Sequence, residues 1–318
     1  MPAVRAQAAV AIVSWNTRHL LRANLLALRA DHDDGRVEVW VVDNGSDDGS
    51  PELVADEFPW VQLLLPGENL GFGRAVNLVA AHTATPWIAP ANADTQVSPG
   101  ALSALLAAGD ADPGAGLLGP RLRLDDGSVQ RSVQPFPTLA TTLLLHSRAH
   151  RLLPVVARRL ARPEAWNPDA GARVPWVTGA FVLVRREAWD AVGGFDEEQW
   201  MYAEDIDLCW RLAHAGWATR YVPEAEVRHA HGAAARQAFG SDTDRRWMLA
   251  TYAWIARRQG TVTARVIAAL NLAETRARAR AFALLGGRDP VRSGPRRRAL
   301  EAEAAVHAEA LRAPTRMS

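Results

Sequence analysis

The sequence predicts an α/β protein with a mostly parallel central sheet flanked by helices, and a helical extension at the C-terminal end. In the first half, short apolar runs alternate with longer runs of helical spacing. This alternation is typical of a parallel sheet with helices on its faces. From residue 242 onward the spacing is helical. With 318 residues, 48% of them hydrophobic, the chain is long enough for one large domain or two smaller ones.

Each element of the first half follows from a local pattern. Apolar, β-branched runs predict strands at 9–15, 37–42, 61–65 and 86–91, and helical spacing predicts helices at 17–30, 50–58 and 72–82. Thr17 is placed to cap the first helix. Ligands of parallel sheets bind beyond the carboxyl ends of the strands. We therefore expect one rim to carry the polar residues after these strands: Asn16, Asp43, the segment 69–73 and Asp94.

The second half is less regular. Residues 174–189 predict a strand that enters a short helix, 204–216 a helix that ends at Gly216, and 217–232 an extended stretch. The tail past Gly286 is rich in proline, arginine and alanine, and we expect it to be loosely held. These changes predict two domains, residues 1–240 and residues 241–318.

The composition excludes several classes of protein. A net charge of +1 does not favour nucleic acid as a partner. The single cysteine, Cys209, excludes a disulfide framework and fits a reducing cytoplasm. No run approaches the ~18 apolar residues of a transmembrane helix, and the N-terminal run lacks the features of a signal peptide. We expect a cytoplasmic protein.

Two acidic segments follow predicted strands. "VVDNGSDDGS" at 41–50 holds more carboxylates than a turn requires. "PANADTQVSPG" at 90–100 places Asp94 just beyond a strand, where a carboxylate can hold a hard divalent cation beside a diphosphate. The alternative for Asp94 is an ordinary turn before a helix.

Two further segments carry titratable side chains. In "MYAEDIDLCWR" at 201–211, Glu204, Asp205 and Asp207 begin a helix. They either complement the helix dipole or include a general base whose pKa is raised by apolar neighbours. In "VRHAHG" at 227–232, His229 and His231 lie on one side of a strand, as metal ligands or as structural residues.

The glycine-rich segment "GENLGFGRAVN" at 67–77 is similar to a loop that binds phosphate before a helix. It lacks the Gly-Lys-Ser/Thr of a P-loop, and it follows the third strand. The first strand ends in "SWNTRH", without glycine. These differences argue against a nicotinamide or flavin Rossmann enzyme.

Taken in order, these segments resemble the inverting family 2 glycosyltransferases of the GT-A fold, over about residues 8–240. "GSVQRSVQPFPTL" and the arginine-rich C-terminal region resemble the bacterial rhamnosyltransferases of cell-wall and polysaccharide synthesis that act on polyprenyl-diphosphate-linked N-acetylglucosamine. The resemblance implies transfer of rhamnose from dTDP-rhamnose to a lipid-linked saccharide acceptor, with Mg²⁺ or Mn²⁺ as cofactor.

The resemblance also implies roles for residues. Asp43 would accept a hydrogen bond from the pyrimidine imide, Asp94 and His229 would hold the metal, and Asp205 would be the catalytic base. Asn92 stands where some members have an aspartate. The residues implied to bind the nucleotide sugar are Asn16, Asp43, Asn44, Asn69, Gly71, Asn77, Asn92 and Ala93. Those implied to line the sugar or acceptor pocket are Trp176, Gly179, Ala180, Trp200, Tyr202 and Glu204.

The C-terminal region has two interpretations. Between residues 257 and 298 there are eleven arginines and two acids, with apolar residues such as Val266, Ile267 and Leu272 between them. This pattern predicts either a basic amphipathic helix on an anionic membrane or a solvated face. A lipid-linked acceptor favours the first, and with it a peripheral location on the inner face of the cytoplasmic membrane.

Three other functions remain as alternatives. A glycosyltransferase using UDP-glucose or UDP-galactose would keep the same fold, since uracil and thymine share the imide edge that Asp43 would contact. A sugar nucleotidyltransferase would need a glycine-rich basic loop after the first strand, which "SWNTRH" does not provide. A non-catalytic binding module would not need Asp43, Asp94, Asp205 and His229 together.

Overall fold

The computed structural model describes residues 6–146, 167–230, 232, 240–285 and 290–315. The chain divides into two compact units, one of residues 1–135 and 161–240, the other of residues 136–160 and 241–318. The second unit thus includes residues 136–160, which precede residue 241 in the sequence. His231 lies outside the described residues.

The first unit is built on a sheet of nine described strands. The strand bounds are β1 Ala8–Ser14, β2 Val37–Asp43, β3 Gln62–Leu64, β4 Trp87–Asn92, β5 Thr95–Val97, β6 Ala115–Arg123, β7 Val133–Gln134, β8 Ala172–Val174, β9 Trp176–Val177, β10 Leu183–Arg185 and β11 Ala218–His229. The order across the sheet is β3-β2-β1-β4-β10-β6-β11-β5, with β8 also paired to β11. Strands β7 and β9 form a separate two-stranded ribbon.

The α/β class is confirmed. The strands β3, β2, β1 and β4 are parallel, and β10 then runs antiparallel between β4 and β6, so the sheet is mixed in its second half. The helices of this unit are α1 Arg18–Asp33, α2 Ser50–Glu57, α3 Gly71–His82, α4 Ala101–Ala111, α6 Arg186–Val192 and α7 Glu204–His214. Five residues of β1, from Ala8 to Ile12, are fully buried, as expected for a central strand covered on both faces.

The strand register explains why distant residues share one rim. Ser14 pairs with Asp43, and Val13 pairs with Asn92, so the carboxyl ends of β1, β2 and β4 are level. Because β10 is antiparallel to both β4 and β6, and β11 is parallel to β6, β11 also ends at this edge. There His229 pairs with Thr95 of β5, which brings His229 next to Asp94 in the sheet.

The second unit is helical. Its described helices are α5 Leu139–His146, α8 Thr243–Gln259, α9 Thr261–Leu285 and α10 Pro290–Arg312. The tail past Gly286 was expected to be loosely held, but most of it forms α10, whose Leu300, Val306 and Ala310 are buried. Ile267 and Leu272, two apolar residues of the predicted basic amphipathic helix, are buried, because α9 packs against the other helices of this unit. No helix in the described ranges is both long enough and apolar enough to cross a membrane.

A chain of hydrogen bonds crosses the interior of the second unit. His146 Nε2 is 2.9 Å from Asn271 Oδ1, the Asn271 amide donates to the Tyr252 hydroxyl at 2.7 Å, and that hydroxyl is 2.9 Å from His307 Nδ1. Burial raises the pKa of Tyr252 to about 12, and burial lowers the pKa of His307. These hydrogen bonds join α5, α9, α8 and α10.

Candidate functional site

The loop after β2 uses its first carboxylate to shape itself. Asp43 is buried, and its Oδ1 accepts hydrogen bonds from the backbone N–H groups of Gly45 and Ser46 at 3.1 and 2.7 Å. The Ser46 hydroxyl donates to Asp43 Oδ2 at 2.7 Å. A carboxylate offers about four lone-pair positions, and these bonds use three, so Oδ2 can accept one more donor.

The same loop binds the end of β1. Asn16 has a φ of 52°, and its side-chain oxygen accepts the Asp47 N–H at 2.8 Å. The Asn16 N–H donates to the Ser46 hydroxyl at 2.8 Å. Asn16 and Asp43 therefore both form a hydrogen bond with the Ser46 hydroxyl, and the structure brings these two predicted residues together as expected.

A second carboxylate of this loop caps two helices. Asp48 Oδ2 accepts the Arg18 N–H at the start of α1, at 2.9 Å. Asp48 Oδ1 accepts the Ser50 N–H and hydroxyl at the start of α2, at 3.0 and 2.6 Å. Burial alone would raise the pKa of Asp48, but these hydrogen bonds lower it. Thr17 stands at the N-cap position of α1, yet its hydroxyl bonds to Ser14, so Asp48 supplies the side-chain cap instead.

The loop before α3 is held against the β2 loop. Asn44 is buried, donates to the Gly71 carbonyl at 3.2 Å and accepts the Leu70 N–H at 3.4 Å. Asn69 accepts the Gly71 N–H at 2.9 Å. Gly71 has a φ of 76°, and a Cβ there would collide with Trp200, whose carbonyl accepts the Phe72 N–H at 3.3 Å. Trp200 is 39% exposed, so an aromatic face borders this loop.

Asn77 has a structural role in the fold. Its amide donates to the Phe195 carbonyl at 3.0 Å and accepts the Phe195 N–H at 3.0 Å, and it also donates to Glu197 at 3.3 Å. Both ends of the amide are thus occupied by the loop before α7. The structure supports Asn77 as an anchor of that loop rather than as a direct contact for the nucleotide sugar.

The segment after β4 and the end of β11 bring a carboxylate and an imidazole together. Asp94 and His229 are 4% and 5% exposed, and Asp94 Oδ1 is 3.4 Å from His229 Nε2. His229 Nδ1 is 2.7 Å from Gln130 Oε1. An oxygen and a nitrogen ligand that approach each other in this way fit a divalent cation. No cluster of three or more His, Cys, Asp or Glu side chains that could hold a metal forms within the described ranges.

Asn92 and Ala93 contribute mainly through their backbone. The Asn92 N–H donates to the Ala180 carbonyl at 2.8 Å, and its carbonyl accepts from Asn24 and Thr95 at 3.0 and 2.8 Å. Ala93 is buried. These bonds fix the turn that carries Asp94.

Gly179 and Ala180 link the acidic segment to the β4 turn. They were expected to allow close approach of a sugar or acceptor, and the structure places Asp205 directly against Gly179. The Gly179 N–H donates to Asp205 Oδ2 at 3.0 Å, and a Cβ on Gly179 would lie 2.9 Å from Asp205 Cβ. Ala180 is buried and bonds to Asn92. The β4 turn and Asp205 are therefore linked through two adjacent residues.

Glu204 and Asp205 form a half-buried acidic pair at the start of α7. Burial and then the neighbouring Asp205 raise the pKa of Glu204 to about 8. Burial also raises the pKa of Asp205, against the hydrogen bonds from the Gly179 and Ile206 N–H groups. Glu204 Oε2 has no hydrogen-bond partner among the described residues. Near neutral pH Glu204 therefore keeps its proton, and the backbone hydrogen bonds to Asp205 favour the charged form of that carboxyl.

The backbone before this pair adopts an uncommon conformation. Tyr202 and Ala203 have φ of 64° and 61°. Together with Asn16, they are the non-glycine residues with positive φ in the described part of the chain, and all three border this site. Such residues persist only where the surrounding structure holds them, and they concentrate at functional sites.

Trp176 and the ion pair of Arg211 with Asp207 have packing roles. Trp176 was expected to be able to stack on a sugar, but it is only 6% exposed and its indole N–H donates to the Pro135 carbonyl at 2.9 Å. Arg211 pairs with buried Asp207 at 2.6 Å. Neither Trp176 nor Asp207 is presented to a ligand.

Comparison with known proteins finds rhamnosyltransferases among the relatives of this chain. The N-acetylglucosaminyl-diphospho-decaprenol L-rhamnosyltransferase of Mycobacterium tuberculosis is 41% identical over 209 residues, which are 61% of this chain and 66% of that protein. Rhamnosyltransferase WbbL of Escherichia coli K12 is 40% identical over 87 residues, 27% of this chain and 32% of that protein. The chain thus matches slightly less than two thirds of the length of the mycobacterial relative.

Solved structures share the fold. A mannosyltransferase from Pyrobaculum calidifontis, PcManGT, in complex with GDP-Man and Mn²⁺, has a TM-score of 0.61 at 19% identity, covering 98% of this chain and 88% of that chain. GalNAc-T7 with UDP, GalNAc and Mn²⁺ has a TM-score of 0.53 at 16% identity, covering 71% of this chain and 44% of that chain. These structures confirm the expected GT-A fold. A family model described as glycosyltransferase-like family 2 matches residues 6–250, and the chain therefore belongs to this glycosyltransferase family.

Proposed function

We propose that the chain is an inverting glycosyltransferase that transfers rhamnose from dTDP-rhamnose to a lipid-linked saccharide acceptor. The observation that carries the proposal is the placement of Asp205, which accepts two backbone N–H groups beside a protonated Glu204 and is linked through Gly179 and Ala180 to the turn that holds Asp94. The similarity to two rhamnosyltransferases, one of them acting on a diphospho-decaprenol-linked sugar by its name, supports the sugar and the acceptor class.

In this proposal Asp205 is the general base. A base must be charged at the working pH and must be held within reach of the proton it takes. The Gly179 and Ile206 N–H groups hold the carboxylate at 3.0 and 2.8 Å and favour its charged form. Asp205 takes the proton from an acceptor hydroxyl, whose oxygen bonds to the anomeric carbon as the bond from that carbon to the diphosphate breaks. One displacement of this kind inverts the anomeric centre.

Asp94 and His229 would hold a divalent cation, Mg²⁺ or Mn²⁺. Their 3.4 Å approach in a buried position and their ligand chemistry support this assignment. Such a cation, when bound, neutralises charge on the leaving diphosphate. The complexes of two proteins of this fold with Mn²⁺ agree with the proposal.

The donor nucleotide would be recognised at the β2 loop. Asp43 Oδ2 can accept one donor beyond the Ser46 hydroxyl, as the imide N–H of a pyrimidine requires. Uracil and thymine share that imide. A transferase for UDP-glucose or UDP-galactose is therefore the second candidate, with the same base and the same cation site.

We further propose a peripheral location on the inner face of the cytoplasmic membrane. The second unit exposes apolar side chains at Trp247, Val262 and Val266, by 46%, 76% and 40%, and Arg265 between the two valines is also exposed. Apolar and arginine side chains on one helix are typical of binding to anionic lipid surfaces. Sedimentation with anionic vesicles tests this: Val262→Asp with Val266→Asp should reduce the bound fraction, and equal binding would refute the assignment of this surface.

Calorimetry with dTDP-rhamnose, UDP-glucose and UDP-galactose in the presence of Mg²⁺ tests the donor, and a transfer assay with N-acetylglucosamine diphosphate on a short polyprenol tests the acceptor. Preference for dTDP-rhamnose and formation of the disaccharide lipid are expected. Preference for a UDP-sugar would refute the rhamnosyltransferase assignment and favour the second candidate. Binding of donor without transfer or hydrolysis would favour a binding module.

A further inference from the structure

The segment "GSVQRSVQPFPTL" at 127–139 begins beside the site, although the reaction proposed above assigns no role to it. After β6 the chain turns back, and the Gln130 N–H donates to the Leu122 carbonyl at 2.8 Å. A few residues later, the Ser132 carbonyl accepts the Thr178 N–H at 2.8 Å, next to Gly179. The segment is thus attached both to the sheet and to the strand connection that holds Asp205.

Gln130 lies in the interior at this point. It is 9% exposed, and its Oε1 is 2.7 Å from Nδ1 of His229, which is 5% exposed. An amide oxygen can only accept a hydrogen bond, so Nδ1 must carry the hydrogen. In the neutral imidazole the lone pair is then on Nε2, which lies 3.4 Å from Asp94 Oδ1.

This arrangement determines what His229 can do. A histidine with its hydrogen on Nε2 would direct an N–H at the Asp94 carboxylate and close the space between them with a hydrogen bond. With the hydrogen on Nδ1, two electron-rich atoms face the same space, which favours a cation there. Histidine ligands of metals commonly donate their second nitrogen to a fixed acceptor, which sets the orientation and tautomer of the ring.

We infer that Gln130 is a positioning residue for His229: it holds the imidazole with Nε2 directed to the point that Asp94 Oδ1 also faces, and thereby prepares a divalent-cation site. The cation rests on the proposed function, whereas the tautomer of His229 does not. A glutamine that only filled space would leave the tautomer and the cation affinity of His229 unchanged when replaced by an apolar side chain of similar size.

Three variants separate these roles. Gln130→Met keeps the length of the side chain and removes the acceptor, and Gln130→Glu keeps an acceptor oxygen. Gln134→Met is the matched control, because it makes the same change in the same segment. Among the described residues, the side-chain amide of Gln134 bonds only to the nearby Arg131 carbonyl, at 3.4 Å. Far-ultraviolet circular dichroism and thermal unfolding establish that each variant is folded.

The first measurement is the tautomer of His229 in the metal-free protein, from ¹⁵N–¹H correlations of the imidazole rings at about pH 8, above the usual histidine pKa. The chain has nine histidines, and the signals of His229 are assigned as those lost in His229→Gln. We expect the Nδ1–H form in wild type, in Gln130→Glu and in Gln134→Met, and its loss in Gln130→Met. The Nε2–H form in wild type, or an unchanged tautomer in Gln130→Met, would overturn the inference.

The second measurement is the affinity for Mn²⁺ alone, by calorimetry. Loss of the partner of a metal-bound histidine typically weakens metal binding about 10- to 100-fold, and we expect this for Gln130→Met. Gln130→Glu should stay within a few-fold of wild type, and Gln134→Met should equal it. Equal Mn²⁺ affinity in Gln130→Met and wild type, or no Mn²⁺ binding by wild type, would overturn the inference. A wild type that binds Mn²⁺ with the expected tautomer but transfers no rhamnose would refute the proposed function alone.

Discussion

Replacing Glu204 by glutamine tests the charge state of the acidic pair. A pKa raised from 4.5 to about 8 means that native Glu204 keeps its proton over a range in which the unfolded chain has lost it. The native state then binds more protons than the unfolded state, so stability is highest below the unfolded pKa and falls as pH rises through the native pKa. Glutamine imitates the protonated form and does not ionise.

The size of the effect follows from the shift. About 3.5 pH units at about 1.4 kcal/mol each give an upper limit of about 5 kcal/mol. Unfolding is measured at about pH 6 and about pH 9. Only the roughly two units between pH 6 and the native pKa of about 8 contribute, which corresponds to about 3 kcal/mol. Solvent screening at a half-buried site leaves an expected difference of about 2 kcal/mol.

The assay is urea unfolding of wild type and Glu204→Gln at the two pH values. Wild type should lose about 2 kcal/mol more stability than the variant on going to the higher pH, and the variant should still transfer sugar at neutral pH. Glu187→Gln, which removes an exposed glutamate from α6, is the control and should behave as wild type. The same pH dependence in wild type and Glu204→Gln would refute the assignment of the proton to Glu204.

Other residues of the molecule give four further predictions. Asp205→Asn should keep donor binding by calorimetry but lower the transfer rate by about 10²- to 10⁴-fold, and normal turnover would show that another group is the base. Asp94→Ala should weaken Mg²⁺-dependent donor binding; a dTDP affinity that stays the same with and without Mg²⁺ would remove Asp94 from the cation site. Gly179→Ala would bring a Cβ to 2.9 Å from Asp205 Cβ, so kcat should fall by up to about 10²-fold while donor affinity is retained, and an unchanged kcat would contradict the proposed fit. Because burial lowers the pKa of His307, the stability of the second unit should fall as pH drops below 6.5, and His307→Gln should reduce that dependence; an equal acid sensitivity of the two proteins in chemical unfolding would disprove it.

Local sequence patterns were sufficient for the fold class and for the main acidic positions. The predicted strand at 37–42 is β2 Val37–Asp43, and the predicted helix at 72–82 is α3 Gly71–His82. Hydrophobic period and turn chemistry act over a few residues, so they can be read from the chain itself. The same patterns placed Asp94 beyond a strand end and Asp205 at a helix start, where the structure has them, and Asp43 just after a strand of which it is the last residue.

Several residues could not be assigned in this way because their partners are distant in sequence. Gln130 bonds to a histidine 99 residues away, and Asn77 bonds to a backbone 118 residues away. Gly179 lies against Asp205, 26 residues away, and a side chain at position 179 would collide with it. Trp176 is an aromatic residue that packs inside, which its sequence neighbours do not indicate.

The sequence alone therefore determined the α/β class, the strand ends that carry polar residues and the family to which the chain belongs. The tertiary structure decided that the sheet becomes mixed at β10, that β11 ends beside Asp94, and that Ile267 and Leu272 pack inside the second unit. The two differ because periodicity specifies which face of a helix or strand is apolar, whereas strand order and helix packing specify which other elements that face contacts.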